Sequence, residues 1–320
     1  MPEGGTAEPA SAGLADRALD GREDRTKAIY VMGAGRSGST ILGVALGNCA
    51  GCFFAGELDK WLLMSGVSMH ERHARERGGS APDAGLWEQV RGEVAVPAEL
   101  SGRQARRLIE HSSSLLRIDG WRRRRGLRSR YRRLSEDLYR AIAARTGAGC
   151  VIDSSHFPLR ARELQALGGV DLYLVYLVRD PGSVVASWSR RGLPEPRFPM
   201  LVTNAYLWLT HTLSLLVFLR QPRARRLFVR YEDFIADPGA VVGKVLELVG
   251  SRAELPDFRA LRSGRPYHGN RLIFSEVVAV ERGDSPESAR APLTRWLQSP
   301  WALILPRLRP AAGSSPARGS

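Results

Sequence analysis

Cysteine is scarce in this chain: Cys49, Cys52 and Cys150 are the only ones in 320 residues. That is too few for a disulfide framework, and residues 1–27 lack the apolar core of a secretion signal, so the expected setting is the reducing cytoplasm. Acidic charge is also short, with 33 Asp and Glu against 47 Lys and Arg and a net charge of +14. The surplus favours anionic partners without separating nucleic acid, anionic lipid and a phosphorylated or sulfated small molecule. A clean membrane span is missing too. The most apolar stretch, Met200 to Leu219, is interrupted by Asn204 and His211, each costly at mid-bilayer, and reads as a buried core helix.

What the chain does have is a set of short apolar runs rich in β-branched and aromatic residues: Ala28–Met32, Cys52–Phe54, Cys150–Ile152, Leu172–Val178 and Leu227–Val229. Their apolarity is continuous rather than alternating, as in strands covered on both faces, and helical patterns such as Thr40–Leu46, Ser183–Arg190 and Pro238–Val249 lie between them. The expected fold is α/β: a P-loop-like three-layer arrangement with a mostly parallel central sheet flanked by helices. Residues 60–147 are polar and arginine-rich and are expected to form a helical insertion or cap. Residues 1–26 and 310–320 have too few large apolar groups to order themselves, leaving one domain over 27–309.

In open parallel sheets ligands sit beyond the carboxyl ends of the strands. After the first run stands Gly33-Ala34-Gly35-Arg36-Ser37-Gly38-Ser39-Thr40; after the others come Gly56-Glu57, Asp153-Ser154-Ser155-His156, Arg179-Asp180-Pro181 and Arg230-Tyr231-Glu232-Asp233. The first of these combines backbone N–H groups at a helix N-terminus with hydroxyls and one guanidinium, which suits an anion. A triphosphate kinase loop needs a lysine where this chain has Ser39, and an acid for magnesium.

The pairing of this loop with "RDPGSVVAS", in which Ser187 follows Arg179 by eight residues, resembles the sulfotransferases that use 3′-phosphoadenosine-5′-phosphosulfate (PAPS), above all bacterial members and the tyrosylprotein and carbohydrate branches. "FVRYEDFIADPG" and "GNRLIF" extend the likeness to roughly Ala28–Phe274. It implies that Gly35, Arg36, Ser37, Gly38, Ser39 and Thr40 hold the 5′-phosphosulfate, that Arg179 and Ser187 hold the 3′-phosphate, and that Asn270 and Arg271 close over the latter. It also implies in-line transfer without a metal, with Arg36 among the catalytic groups and Glu57 as general base, unless Glu57 only caps the following helix. Many relatives carry lysine where this chain has His156, which supplies a hydrogen bond but less charge; Ile273 stands where a second arginine is common.

Other readings compete. A small-molecule or nucleoside kinase on a similar fold needs magnesium, and a non-catalytic anion- or nucleic-acid-binding protein should show steep salt dependence without turnover. Cys49 and Cys52 with His70 and His73 suggest zinc, but their separation exceeds finger spacing. Trp61, Tyr206 and Trp208 line either an acceptor pocket or the core. The eight arginines of Trp121–Leu134 form either a solvated helix or a peripheral contact with the anionic inner face of the membrane. The acceptor is expected to be a small molecule, a carbohydrate or lipid-linked, with no specific nucleic acid, and no motif names it.

Overall fold

The computed structural model describes residues 25–308 apart from 65, 77–83, 112–113, 115–118, 190–198 and 282–291. Most of both expected tails, the Gly/Pro-rich break near residue 80 and the loop before Met200 lie outside the described residues. All five apolar runs are strands: β1 (Thr26–Gly33), β2 (Cys52–Gly56), β3 (Cys150–His156), β4 (Val170–Val178) and β5 (Arg226–Arg230). They form one parallel sheet in the order β2-β3-β1-β4-β5.

Both faces of the sheet are covered, which explains the unbroken apolar runs. Along β1, Ala28, Tyr30 and Met32 enter one hydrophobic cluster while Ile29 and Val31 enter the other. The second cluster is closed by α1 (Ser39–Gly47), whose residues from Thr40 to Leu46 are all buried. Between β2 and β3 run α2 (Trp61–Met64), α3 (Met69–Glu76), α4 (Ala84–Glu93), α5 (Gly102–Glu110) and α6 (Asp119–Thr146). This stretch builds much of the first cluster, with Trp61, Trp87, Tyr131 and Tyr139 among its largest buried side chains. Trp61 is therefore core. The arginine-rich part of α6 is not solvated all round: Arg124, Arg128 and Arg132, spaced one turn apart, converge on buried Glu163.

The remaining helices are α7 (Pro158–Leu164), α8 (Pro181–Ser189), α9 (Met200–Arg220), α10 (Tyr231–Ala236) and α11 (Pro238–Leu248). A two-stranded antiparallel pair, β6 (Leu261–Arg262) and β7 (Val277–Val278), then precedes α12 (Pro292–Leu297) and α13 (Ser299–Ile304). Two helix starts share one device. Asp180 accepts from the Ser183 amide at 2.8 Å before α8, and Asp237 from the Ala240 amide at 2.9 Å before α11. In each case proline follows, filling a position whose N–H has no helical partner. Helix α9 is only partly the buried core helix its composition suggests: one side packs inward while Leu201, Leu216 and Leu219 stay exposed. Its inward side carries Asn204 and His211, the latter meeting the Tyr176 hydroxyl through Nδ1 at 2.8 Å.

Candidate active site

The carboxyl ends of β1 to β4 converge on the turn between β1 and α1. That turn needs its glycines. Gly38 lies at φ 94°, and a Cβ there would sit 2.3 Å from the Tyr231 ring; a Cβ on Gly33 would sit 2.2 Å from the Leu177 carbonyl oxygen. Among the described residues, only Arg36 (φ 70°) and His156 (φ 57°) are non-glycine residues with positive φ. Such strain persists where surrounding structure imposes it, and it concentrates at functional sites. Both residues were candidates from sequence.

Within the turn, Ser37 is buried and its hydroxyl donates to the Ala34 carbonyl at 2.7 Å, so it holds the loop's shape. The Gly35 amide donates to the Tyr206 hydroxyl at 3.2 Å, which places Tyr206 against the loop. Trp208 instead lies against α12 and α13, donating to the Leu297 carbonyl at 2.9 Å and packing on Trp301. The Arg36 guanidinium lies 5.4 Å from the Trp188 ring centre on α8. Thr40 is buried under the loop, and Ser39 is half-buried at the first position of α1.

Arg179, just past β4, closes one side of the turn. Its Nη1 donates to the Arg36 carbonyl at 3.3 Å, and its guanidinium stacks 4.5 Å from the Tyr231 ring centre. An alternative partner, Glu232, is engaged elsewhere: it accepts from the Asp180 amide at 2.7 Å and pairs with Arg230 at 3.5 Å. Ser187 is half-buried on α8, two turns along from Arg179. Beside Arg179 a cavity of about 290 Å³ opens between the ends of β4 and β5 and the C-terminal helices. His211 lines it, and burial pushes that ring down to about 4.

Glu57 follows β2 on the other side. Its side chain makes no capping bond to the short helical turn after it, so capping does not account for it. Instead Oε2 meets His268 Nδ1 at 3.1 Å and Lys60 Nζ at 3.8 Å. A carboxylate can only accept, so the histidine carries its proton on Nδ1. Burial alone would raise the Glu57 carboxyl, but the His268 hydrogen bond and the Lys60 charge outweigh it and hold it below its ordinary value. The pair is clamped by backbone: the Glu57 amide donates to the His268 carbonyl at 2.8 Å, and a Cβ on Gly56 would lie 2.1 Å from that oxygen. No spacing rule linked residues 57 and 268; only the Gly-Glu pair after a strand pointed toward the site.

Behind Glu57 lies a buried polar network that uses Asp153 and Ser155. Asp153 accepts from the Ser155 amide at 2.9 Å, the Tyr139 hydroxyl at 2.6 Å and Arg160 Nη2 at 3.0 Å. Ser155 Oγ in turn accepts from the Asp59 amide at 3.0 Å, fixing the turn that starts at Glu57. Asp59 is bound by Arg106. Burial works to raise Asp59, yet Lys60 and Arg106 keep it well below the carboxylate range.

His156 packs on Phe157 with ring centres 4.3 Å apart, and its Nε2 would lie 3.8 Å from a Cβ on Gly35. Burial lowers its pKa against the opposing pull of Glu57 and Asp59, so it faces the loop as a neutral ring. Gly269 also abuts the loop, with a Cβ position 3.6 Å from the Thr40 methyl. Asn270 and Arg271 are exposed there; Asn270 Oδ1 accepts from the Arg271 amide at 2.6 Å. Ile273, where a second arginine is common, is fully buried in the second cluster. The candidate zinc residues are apart: Cys52 faces Cys150 in strand register, while His70 and His73 pack on Phe274.

A model of the sulfotransferase family matches residues 28–254. No curated protein matches the sequence. Among solved structures, the chain is similar to the sulfotransferase domain from the curacin biosynthetic pathway, at 18% identity over 87% of this chain and 98% of that one, with a TM-score of 0.49. It is also similar to the sulfotransferase domain from the Synechococcus PCC 7002 olefin synthase (17% identity, 87% and 95% covered, TM-score 0.46). A Mycobacterium tuberculosis H37Rv sulfotransferase aligns at 15% identity, with 75% and 72% covered and a TM-score of 0.45. The family match runs from β1 past the end of α11 and takes in the loop, Glu57, His156 and Arg179, and on that basis the chain belongs to the sulfotransferase family.

Proposed function

We propose that the protein transfers a sulfuryl group from PAPS to a hydroxyl or amine of an acceptor by in-line displacement, with Glu57 taking the acceptor's proton. One observation carries this reading: a glycine-turned loop bearing Arg36, a second guanidinium on its backbone from Arg179, and an ionised carboxylate at Glu57 stand at the carboxyl ends of β1, β4 and β2 in one parallel sheet. PAPS supplies an activated sulfuryl group on a phosphate leaving group. The loop amides, Ser39 and Arg36 suit the charge that develops on that leaving oxygen, and Arg179 and Ser187 suit the 3′-phosphate. Both partners of Glu57 take Oε2, leaving Oε1 for the acceptor. The neutral His156 ring serves as a hydrogen-bond donor or acceptor beside the loop rather than as a charge.

The test uses 3′,5′-adenosine bisphosphate, which should bind with unchanged affinity in the presence of a chelator. A guanidinium–phosphate bond contributes about 1.5 to 3 kcal/mol, or about ten- to a hundred-fold in dissociation constant. Arg179→Ala is therefore expected to weaken 3′,5′-adenosine bisphosphate by about that factor and AMP hardly at all, with Ser187→Ala acting in the same direction but less. Equal weakening of both nucleotides by calorimetry would mean that Arg179 only braces the loop. Magnesium-dependent binding of ATP in competition would favour a kinase.

A further inference from the structure

Helix α9 is apolar on both sides: Leu207, Val217 and Phe218 are buried, and large apolar side chains also face outward. Its buried side carries Thr203, Asn204, Thr210, His211 and Ser214, and Asn204 is tied to Thr294 and Gln298. Its outward side is a row at three- and four-residue spacing that is apolar except at Thr212: Leu201 (66% exposed), Ala205, Trp208, Thr212, Leu216 (54%) and Leu219 (52%). Trp208 touches Leu297 and Trp301, so the row continues onto α12 and α13, where Trp296 is 71% and Leu303 70% exposed. Exposed large apolar side chains gathered on packed neighbouring helices mark an interaction site.

Positive charge borders it. Arg220 and Arg223 stand exposed at the end of α9, and Arg162 is exposed on α7, which packs against α9. The Arg162 guanidinium is pushed below its ordinary value first by desolvation and then by the charges of Arg128, Arg220 and Arg132. Arg128 and Arg132 share Glu163 with Arg124, three guanidiniums to one carboxylate. Helix α7 packs against both α6 and α9, so it joins the arginine-rich helix to the arginine-bearing end of α9.

We propose that this surface docks the protein on an anionic lipid bilayer, α9 lying in the interface with its apolar row in the acyl boundary and the arginines on the headgroups. The helix does not cross the bilayer, because its polar side is bonded into the core. A soluble polyanion would leave the apolar row uncovered, whereas an anionic bilayer answers both the row and the arginines at its end. The N-terminal half of α9 also carries Tyr206, which touches the loop at Gly35, so the same helix reaches the site from its inner side. Docking itself does not rest on the transfer reading.

Flotation of the full chain with phosphatidylglycerol-containing vesicles and with pure phosphatidylcholine vesicles tests the proposal. Binding to the anionic vesicles alone is expected. Leu216→Glu with Leu219→Glu should reduce it by at least about tenfold, and Arg220→Gln by about fivefold. Melting temperature and affinity for 3′,5′-adenosine bisphosphate should stay unchanged in these variants, a readout that separates loss of docking from misfolding or from failure of the transfer reading. Equal binding to both vesicle types, or unchanged flotation of the leucine variant, would overturn it. So would light scattering that shows a dimer dissolved by the same substitutions, which would assign the face to a second copy of the chain.

Discussion

Glu57→Gln is expected to lower turnover by about a hundred- to ten-thousand-fold, the usual contribution of a general base, while the affinity for 3′,5′-adenosine bisphosphate barely changes. The glutamine keeps the shape of the side chain and an oxygen for the His268 Nδ1 proton, so the clamp between residues 56–57 and 268 should survive. It lacks only the ability to take a proton. The pH profile adds a second readout. The His268 bond and the Lys60 charge, against burial, hold Glu57 below its ordinary value. The carboxylate is then already ionised above the usual range of about 4.3, and kcat/KM should fall on the acid side only below that point. An acid limb in the imidazole range, near about 6.5, would move the proton acceptor from the carboxylate to a ring. His268→Ala should shift the limb of the wild-type profile upward, since the carboxylate loses the bond that favours its charged form. Activity of Glu57→Gln equal to wild type, measured by transfer of labelled sulfate, would reduce Glu57 to a structural part.

Arg160→Ala is expected to cost about 3–5 kcal/mol, because it leaves buried Asp153 without its counter-charge and Glu110 with Arg106 alone. Arg160 is bonded to Asp153 and to Glu110, both fully buried. Set against a total stability of about 5–15 kcal/mol, the substitution approaches unfolding at ordinary temperature. Adding Glu110→Gln should recover part of the loss, since Glu110 would otherwise keep only Arg106 as its counter-charge and the two sites are in contact. Urea titrations of the single and double variants measure both quantities. A loss below about 1 kcal/mol would mean that water reaches the network once the arginine is removed. The effect extends to the site, because Asp153 holds Ser155, and Ser155 holds the Asp59 amide behind Glu57.

The parts of this structure that were legible in sequence are those set by neighbours along the chain. The Asp-Pro starts of α8 and α11, the apolar runs of β1 and β4 and the glycine turn all depend on local chemistry, and each folds as its sequence reads. Glu57 and Arg179 were legible because the residue after a strand stands at the ligand-binding end of a parallel sheet. His268 was not, since its partner lies 211 positions away and the contact depends on a backbone approach at Gly56. The same limit hid Arg160, whose bonds to Glu110 and Tyr131 exist only once α5, α6 and α7 have packed. The arginines of α6 misled a reading by helical face alone, because three of them face a single glutamate on another helix.

The left-handed backbone at Arg36 carries an implication for how sequence substitutions at the loop would be tolerated. A side chain at φ 70° costs about 1–2 kcal/mol that glycine avoids, while glycine's extra freedom in the unfolded chain costs about 0.4–1 kcal/mol. Arg36→Gly should therefore leave the melting temperature level or slightly raised. The same change removes the guanidinium from the loop and should weaken 3′,5′-adenosine bisphosphate strongly. Screening a library for thermal robustness alone would enrich glycine at this position and discard function without any sign of damage. Stability and activity pull apart there, so arginine at position 36 has to be preserved by selection on turnover.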